Sequence, residues 1–280
     1  MRASSFTQWV ALFSGIVSGA SCGDKHKSGH TGERMTNPGR DAAHVRARTP
    51  KTALNATAED SEVPFNAVRV FGALRAIMHE GKTEGQIRLD KLVPGPHTFA
   101  VGALAGLRGE ITIMDDNVWL AVPDGDGAKE ENVMGAAEAA LLVVARVAVW
   151  RDVTVEKDIP FHQVDSSVAA FAHRSGVDTS QPFPLLIRGN FDDLQWHVLN
   201  GAPSTPGDHH QHHLAGAVKG KVNVRGTLIG FFSGRHEGIF THRGQKTHFH
   251  VHAEGSQAMG HVDHVVIRAG SHISFPHPKI

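Results

Sequence analysis

The sequence predicts a strand-rich α/β (α+β) fold, and three patterns of side chains predict it. Apolar residues within Phe71–Lys82 recur at the i, i+3, i+4 spacing of an amphipathic helix. Side chains alternate in character along residues 110–115, as they do on a strand. Beyond Ala217 the chain consists of short apolar stretches separated by glycines, which is typical of a compact antiparallel sheet or small barrel.

Composition allows a large folded core and argues against a nucleic-acid partner. The chain has 280 residues and is 40% hydrophobic, enough for one large domain or two ordinary ones. Lysine plus arginine equals aspartate plus glutamate at 28 each. No overall field would therefore attract the protein to nucleic acid or to an anionic membrane surface.

Residues 1–22 have the layout of a secretory signal peptide. Arg2 precedes an apolar run, Phe6–Val17, and small residues lead up to Cys22. Cys22, the only cysteine, stands where a lipoprotein signal carries its lipidated residue; the alternative is an incidental cysteine in an ordinary cleaved signal. We expect an exported protein, either a periplasmic or membrane-anchored lipoprotein or otherwise secreted. Residues 23–63 are polar and lack an apolar period, which predicts a disordered tether.

The first folded stretch predicts a helix followed by a hairpin. Leu74, Ile77 and Met78 mark the buried face of the helix, which should end at Gly81. After the strand that begins near Glu110, the residues Asp115-Asp116-Asn117 predict a tight turn and a return strand.

The middle of the chain predicts two further helical segments, a strand and a loop. The apolar run Ala139–Trp150 is too short to span a membrane and contains Arg146, so we expect a buried helix that passes into a strand. The segment FHQVDSSVAAFAHRSG predicts a helix that stops at Gly176. Leu185–Phe191 predicts a strand, and Pro203–His213 a loop.

Four glycine-bounded stretches make up the predicted C-terminal sheet: VKGKVNVRGTLIGFF, GIFTHRG, KTHFHVHAEG and GHVDHVVIRAG. On the third, His248, His250 and His252 share one face, with about 6.5 to 7 Å between neighbours. Zinc needs its nitrogens at about 2.0 to 2.1 Å, so two neighbours on a strand can converge on one ion but three cannot. Spacing leaves open which two take part, and whether His261 or His264 supplies the third nitrogen.

GTLIGFFSGRHEGIFTHRGQKTHFHV followed by MGHVDHVVI resembles the C-terminal half of alpha-acetolactate decarboxylases. The register of that resemblance implies His248, His250 and His261 as ligands of one Zn²⁺. Upstream, VGALAGLRGEITIMDDNVW and PFPLLIRGNFDDLQWHVL resemble the family's segments that carry a catalytic glutamate and arginine. These residues fall on Glu110 and Arg188.

The resemblance implies zinc-dependent decarboxylation of 2-acetolactate, a small 2-hydroxy-3-keto acid, to acetoin. Glu110 would pass a proton and Arg188 would clamp the carboxylate. It also implies two strand-rich units, an N-terminal α/β unit at 64–178 and a β-rich metal-binding unit at 179–280. A homodimer is left open, and membrane contact is expected only through a lipid on Cys22.

Three departures from the family pattern leave an alternative function open. Ala103 stands where the family has threonine, and Arg108 where it has an acidic residue. Family members also continue some tens of residues past the position of Ile280 and contribute another glutamate there, so we expect a more open site. The alternative is a lipid-anchored protein of the same fold that binds zinc or a hydroxy-keto acid without turnover. The histidines at 209, 210, 212 and 213, with His252 and His264, are expected to be surface or loop residues.

Overall fold

The computed structural model of the chain describes residues 63–92, 95–115, 117–131, 136–201 and 217–277. All of them belong to one compact unit, Leu54–Ile280. The predicted signal peptide with Cys22, all of the tether but Val63, and the loop Pro203–His213 lie outside the described residues. Within the described part of the chain, no helix has both the length and the apolar character needed to cross a membrane.

The first sheet has seven antiparallel strands in the order β1-β7-β3-β4-β5-β6, with β2 also paired to β7. The strands are β1 Val68–Phe71, β2 Ile87–Arg88, β3 Thr98–Leu104, β4 Glu110–Met114, β5 Asn117–Asp124, β6 Gly127–Glu131 and β7 Glu138–Arg146. Helix α1, Leu74–Glu80, follows β1 and ends at Gly81 in the left-handed region (φ 65°), as predicted. The predicted hairpin is confirmed as β4 and β5, with Met114 paired to Asn117.

The predicted buried helix within Ala139–Trp150 is wrong, because residues up to Arg146 form strand β7. Its residues from Ala139 to Ala145 are all buried, since β7 pairs with three strands and is covered on both faces. A strand covered on both faces shows no alternation, so a short apolar run cannot be told from a buried helix by its period.

The second sheet has six antiparallel strands in the order β10-β11-β12-β9-β13-β8. The strands are β8 Trp150–Thr154, β9 Phe183–Val198, β10 Val218–Phe232, β11 Thr247–Ala253, β12 Met259–Ile267 and β13 His272–Pro276. Although β10 also pairs with β9, the sheet is not a closed barrel, because β8 pairs only with β13 among the described strands. The predicted strand-rich α/β fold is confirmed, and its barrel-like sheet is open at this edge.

Two details of the second half differ in their outcome. The helix predicted before Gly176 is confirmed as α2, Phe161–Arg174. The stretch Gly238–Gly244, predicted as a strand, is a set of turns. Ile239 N–H and Phe240 N–H both donate to the carbonyl of His236, and Gly238 has a φ of 72°, so the chain coils back on itself.

The two sheets pack face to face, with α1 at one end of the interface. Phe99 and Val143 of the first sheet share one apolar cluster with Ile229 and Phe231 of the second. The boundary between the sheets falls between Arg146 and Trp150, so β8 and α2 belong with the second sheet rather than the first. The division into units at 178/179 stays a prediction.

Candidate metal centre

Three buried histidines meet where β11 and β12 pair. His248 and His250 are two residues apart on β11 and share a face, and His261 on β12 lies directly opposite His250. One ring nitrogen from each lies within 4.8 Å of the others, and the residues are only 4%, 0% and 7% exposed. The structure thus brings together the same three histidines that the resemblance implied as ligands, with His261 rather than His264 beside the pair on β11.

The outer nitrogens of two of these rings are held by hydrogen bonds. His248 Nδ1–H donates to the carbonyl oxygen of Phe240 at 2.7 Å, and His250 Nδ1 lies 3.0 Å from Thr112 Oγ1. Both rings therefore turn Nε2 toward the cluster. Such outer partners orient the ligating histidines of metal sites and fix their tautomers.

One inner nitrogen lacks a protein partner, and the other two contact each other. His250 Nε2 is buried and has no hydrogen-bond partner among the described residues. His261 Nδ1 lies 3.1 Å from His248 Nε2. That separation is close to the roughly 3.3 to 3.4 Å edge of a tetrahedron of nitrogens centred on zinc. The donor set and its orphaned nitrogen therefore fit a transition-metal ion.

Burial keeps these imidazoles neutral, which is the form that binds metal. Removal from water lowers the pKa of His248 to about 3 and lowers the pKa of His250 and His261 well below the usual 6.5. Neighbouring histidines lower all three values further.

Metal-free protein is expected to lose stability as the pH falls below about 6.5. The folded-state pKa of each cluster histidine is depressed, so unfolding takes up three protons in this range. Burial raises the pKa of Glu110, so unfolding also releases one proton above pH 4.5. The net uptake of about two protons corresponds to about 2.7 kcal/mol per pH unit. Urea unfolding of metal-free protein at pH 5.5 and pH 5 measures this slope, because the unfolded histidines are nearly all protonated only below about pH 5.5.

A His250→Gln variant provides the matched comparison for that slope. It removes one group whose pKa is depressed in the folded state. Proton uptake on unfolding should therefore fall by about one, which lowers the pH dependence of the free energy of unfolding by about 1.4 kcal/mol per pH unit. Equal urea midpoints at both pH values in the parent would contradict buried neutral histidines.

Glu110 approaches the cluster from the first sheet. It begins β4, is 3% exposed, and places Oε2 3.6 Å from His250 Nε2. Its Oε1 accepts a 3.4 Å hydrogen bond from Leu199 N–H. Burial raises the pKa of Glu110 well above its ordinary value, and this hydrogen bond only partly opposes the effect. Glu110 and His250 are consequently two neutral groups in contact rather than an ion pair.

Gly260, immediately before His261, makes the close approach of the sheets possible. Its φ is 106°, and a Cβ there would lie 2.6 Å from the carbonyl oxygen of His197 and 3.3 Å from Glu110 Cγ. Any larger residue would push the strand carrying His261 away from the carboxyl group. The glycine-histidine pair in the sequence therefore has a direct structural reason.

A cavity of about 40 Å³ adjoins the cluster and is lined on one side by polar residues, including Glu110, His248 and His261. Apolar residues of one cluster, including Ile77, Ala103 and Leu141, form another part of its wall. At roughly 10–15 Å³ for each water, the cavity has room for about three waters.

Two further histidines line this cavity that were not identified from the sequence. His197 pairs with His261 across β9 and β12, and its Nδ1 lies 2.9 Å from the Asp263 carboxylate. Had the predicted strand been extended past Phe191, the strand period would have placed His197 on the face opposite Trp196. His242 lies in a turn, where no sequence period could have identified it.

Arg188 is not brought into the cavity. It is exposed on β9, where its Nη1 donates to Ser274 Oγ at 3.2 Å. Its cross-strand row contains Thr227 and then His252, two strands away. Its catalytic role stays a prediction that the geometry of the described residues does not support.

The remaining histidines with predicted surface roles lie apart from the cluster. The ring of His252 contacts Trp119 at an interplanar angle of 38°, and the ring of His264 contacts Phe161 at 39°. Neither is in the metal-ligand cluster found among the described residues. The histidines at 209, 210, 212 and 213 lie outside the described residues.

Chemically, the arrangement combines three neutral nitrogens with a buried carboxylic acid and an apolar wall. The nitrogens can hold a metal ion with a coordination position left for a ligand, as in catalytic zinc sites. The carboxylic acid can give a proton to a group bound beside it. This combination suits a reaction in which negative charge develops and a proton is then added.

Comparison with known proteins agrees with this chemistry. The family model described as "Alpha-acetolactate decarboxylase" matches residues 53–275. Solved structures of alpha-acetolactate decarboxylase from Bacillus subtilis strain 168 and acetolactate decarboxylase from Bacillus subtilis subspecies spizizenii both superpose with a TM-score of 0.61. They are 17% and 15% identical, covering 75% and 76% of this chain and 85% and 87% of theirs. A Staphylococcus aureus protein of unknown function, similar to the same enzyme, gives a TM-score of 0.60 at 15% identity, covering 76% of this chain and 87% of its own. No curated protein sequence matches significantly.

Proposed function

Because the chain belongs to the alpha-acetolactate decarboxylase family, whose members are carboxy-lyases, we propose that it converts 2-acetolactate to acetoin with Zn²⁺ held by His248, His250 and His261. The observation that carries the proposal is the contact at 3.6 Å between Glu110 and the unpartnered Nε2 of His250. A carboxylic acid at this position would supply a proton donor beside the site at which the substrate would bind. The three neutral imidazoles suit zinc, although other borderline metals share the preference.

The metal, when bound, would supply a Lewis acid for the adjacent hydroxyl and keto oxygens of the substrate and stabilise the charge left by carbon dioxide. His248 and His250 are oriented for this by Phe240 and Thr112. Rings held in this orientation lose less freedom when the ion arrives, which favours affinity.

Glu110 would complete the reaction as a general acid. Breaking the bond to carbon dioxide leaves the electron pair on the substrate's enediolate, whose carbon must then take a proton. Burial raises the pKa of Glu110, so the carboxyl group holds a proton to give. Its position on one side of the cluster means that the proton is added to one face of the substrate.

The apolar wall would hold the alkyl groups of the substrate and exclude water. Ala103 lies on this wall, at the position where the family has threonine. The substitution removes a hydroxyl group from the cavity, so orientation of the substrate oxygens depends more on the remaining polar side chains.

Acetoin formation from racemic 2-acetolactate tests the proposal. Zinc-loaded protein should produce acetoin, and removal of the metal with a chelator should reduce the rate to background, with zinc restoring it. A loaded protein that binds a 2-hydroxy acid but makes no acetoin would contradict decarboxylation in favour of ligand binding.

We also propose that the protein is exported and lipid-anchored at Cys22. The support is the charged start, the apolar run Phe6–Val17 and the small residues before Cys22. Incorporation of labelled fatty acid into the parent, but not into Cys22→Ser, is the expected result. A parent protein that incorporates no labelled fatty acid would contradict the lipid anchor and favour ordinary secretion.

A further inference from the structure

Two cavities meet beside the histidine cluster, and three residues separate them. The inner cavity, of about 40 Å³, contains the faces of His248 and His261. The outer cavity, of about 330 Å³, opens on the surface. Leu74, Met78 and His242 line both.

The inner cavity is too small for the proposed substrate. It has room for about three waters, and a hydroxy-keto acid has more non-hydrogen atoms than three waters do. A substrate with its oxygens at the cluster must therefore extend past the shared residues toward the outer cavity. Arg75 and Arg243 line that outer cavity against a single acidic residue, Glu237, which favours entry of an anion.

His242 is the only one of the three shared residues that can form a hydrogen bond with its side chain. Its ring centroid lies 5.0 Å from that of His261 and 6.2 Å from that of His248. Glu110 approaches the cluster at His250 instead. A ligand bound at the cluster would thus have the carboxylic acid beside one ring and His242 beside the other two.

The backbone around His242 is anchored to helix α1. Leu74 N–H donates to the carbonyl of Ile239 at 2.9 Å, and Arg75 N–H donates to the carbonyl of Gly238 at 2.7 Å. Gln245 N–H donates to the carbonyl of His242 itself at 3.0 Å. These bonds fix the turn against the helix that carries Leu74 and Met78, so the backbone that bears the imidazole is held in place before substrate arrives.

We propose that His242 is a further substrate-contacting residue, whose ring N–H donates a hydrogen bond to an oxygen of a bound 2-hydroxy acid. Either neutral tautomer carries one N–H, so the contact does not require a charged ring. The inference rests on the proposed function for the class of ligand, a 2-hydroxy acid anion, and adds a residue that positions it.

Cobalt-loaded protein allows the contact to be measured without turnover. The probe is 2-hydroxyisobutyrate, which has no keto group and does not react, and the readout is the visible absorption of bound Co²⁺. His242→Ala should bind the probe about tenfold more weakly than the parent, equivalent to about 1.4 kcal/mol. His242→Gln, whose amide retains an N–H donor, should recover most of that loss.

His236→Ala is the matched control. His236 lies in the same turn and stacks on Phe240, but its side chain lines neither cavity, so probe affinity should stay near that of the parent. Probe binding by His242→Ala that equals the parent's would overturn the proposal. Tighter binding would also overturn it, because it would show that His242 only obstructs the ligand. Loss of cobalt from that variant would show that His242 binds the metal rather than the substrate, which overturns the proposal. Failure of the parent to bind the probe would overturn it as well. A parent that binds the probe but makes no acetoin contradicts the proposed function alone.

Discussion

Replacing His261 by alanine is expected to abolish stoichiometric metal binding. The variant loses one of three converging nitrogens and leaves His248 Nε2 without its 3.1 Å neighbour. Loss of an outer hydrogen-bond partner alone costs about 10–100-fold in metal affinity, so loss of a ligand should cost at least about 100-fold. Equilibrium dialysis followed by elemental analysis should give about one zinc per parent chain and far less in the variant.

The same change removes a stabilising effect of the metal on folding. At a fixed zinc concentration well above the parent's Kd, a 100-fold loss of affinity removes about 2.7 kcal/mol of stabilisation. His252→Ala is the matched control, because His252 lies on the same strand as two of the proposed ligands but contacts Trp119 outside the cluster. Full zinc content in His261→Ala would refute the assignment of this residue.

Glu110→Gln is expected to keep the metal and lose turnover. The amide preserves the shape of the carboxyl group and can still accept the hydrogen bond from Leu199 N–H, but it cannot donate a proton to carbon. General acid catalysis typically contributes about 10²- to 10⁴-fold, so kcat should fall by at least about 100-fold. The measurement is the initial rate of acetoin formation by zinc-loaded protein of verified metal content.

The optical purity of the product gives a second, independent readout. In the proposed mechanism the proton of Glu110 reaches the substrate from one side of the cluster, so the parent should form acetoin enriched in one enantiomer. Protonation by water in the variant should give a product closer to racemic. A Glu110→Gln protein with the parent's kcat and the parent's enantiomeric excess would show that another group protonates the substrate.

Local sequence patterns could predict the elements in which polar and apolar side chains recur with the period of a helix or a strand. Helix α1 has a clear period because it buries one face. Strands β4 and β11 have one because polar and apolar side chains alternate along them, although both of their faces are buried. Strand β7 could not be assigned, since its flanking strands and the covering layers bury both faces. The turns at Gly238–Gly244 were missed because the adjacent apolar residues Ile239 and Phe240 pack within a coil of backbone rather than on a sheet.

The candidate site shows the same division between local and distant information. Strand geometry predicted that His248 and His250 share a face, and it left the third histidine open. The approach of Glu110 to His250 joins residues of different sheets, and only resemblance to a family indicated it. His197 and His242 had no local signal to distinguish them in a chain with 21 histidines. For Arg188, the resemblance predicted a role that its exposed position does not support.

The pairing of β11 with β12 also has a consequence for the order in which the site is assembled. His248 and His261 are only 13 residues apart in the chain, within one hairpin, whereas Thr112 and His250 are 138 apart. Closing the short loop costs less conformational entropy, so the hairpin can gather its nitrogens before the sheets dock. An ion captured at that stage would template the hairpin, and the carboxylic acid would then dock onto a centre that is already charged. Pulse-labelled hydrogen exchange during refolding should accordingly show zinc protecting β11 and β12 before β4; simultaneous protection of all three strands would exclude this order.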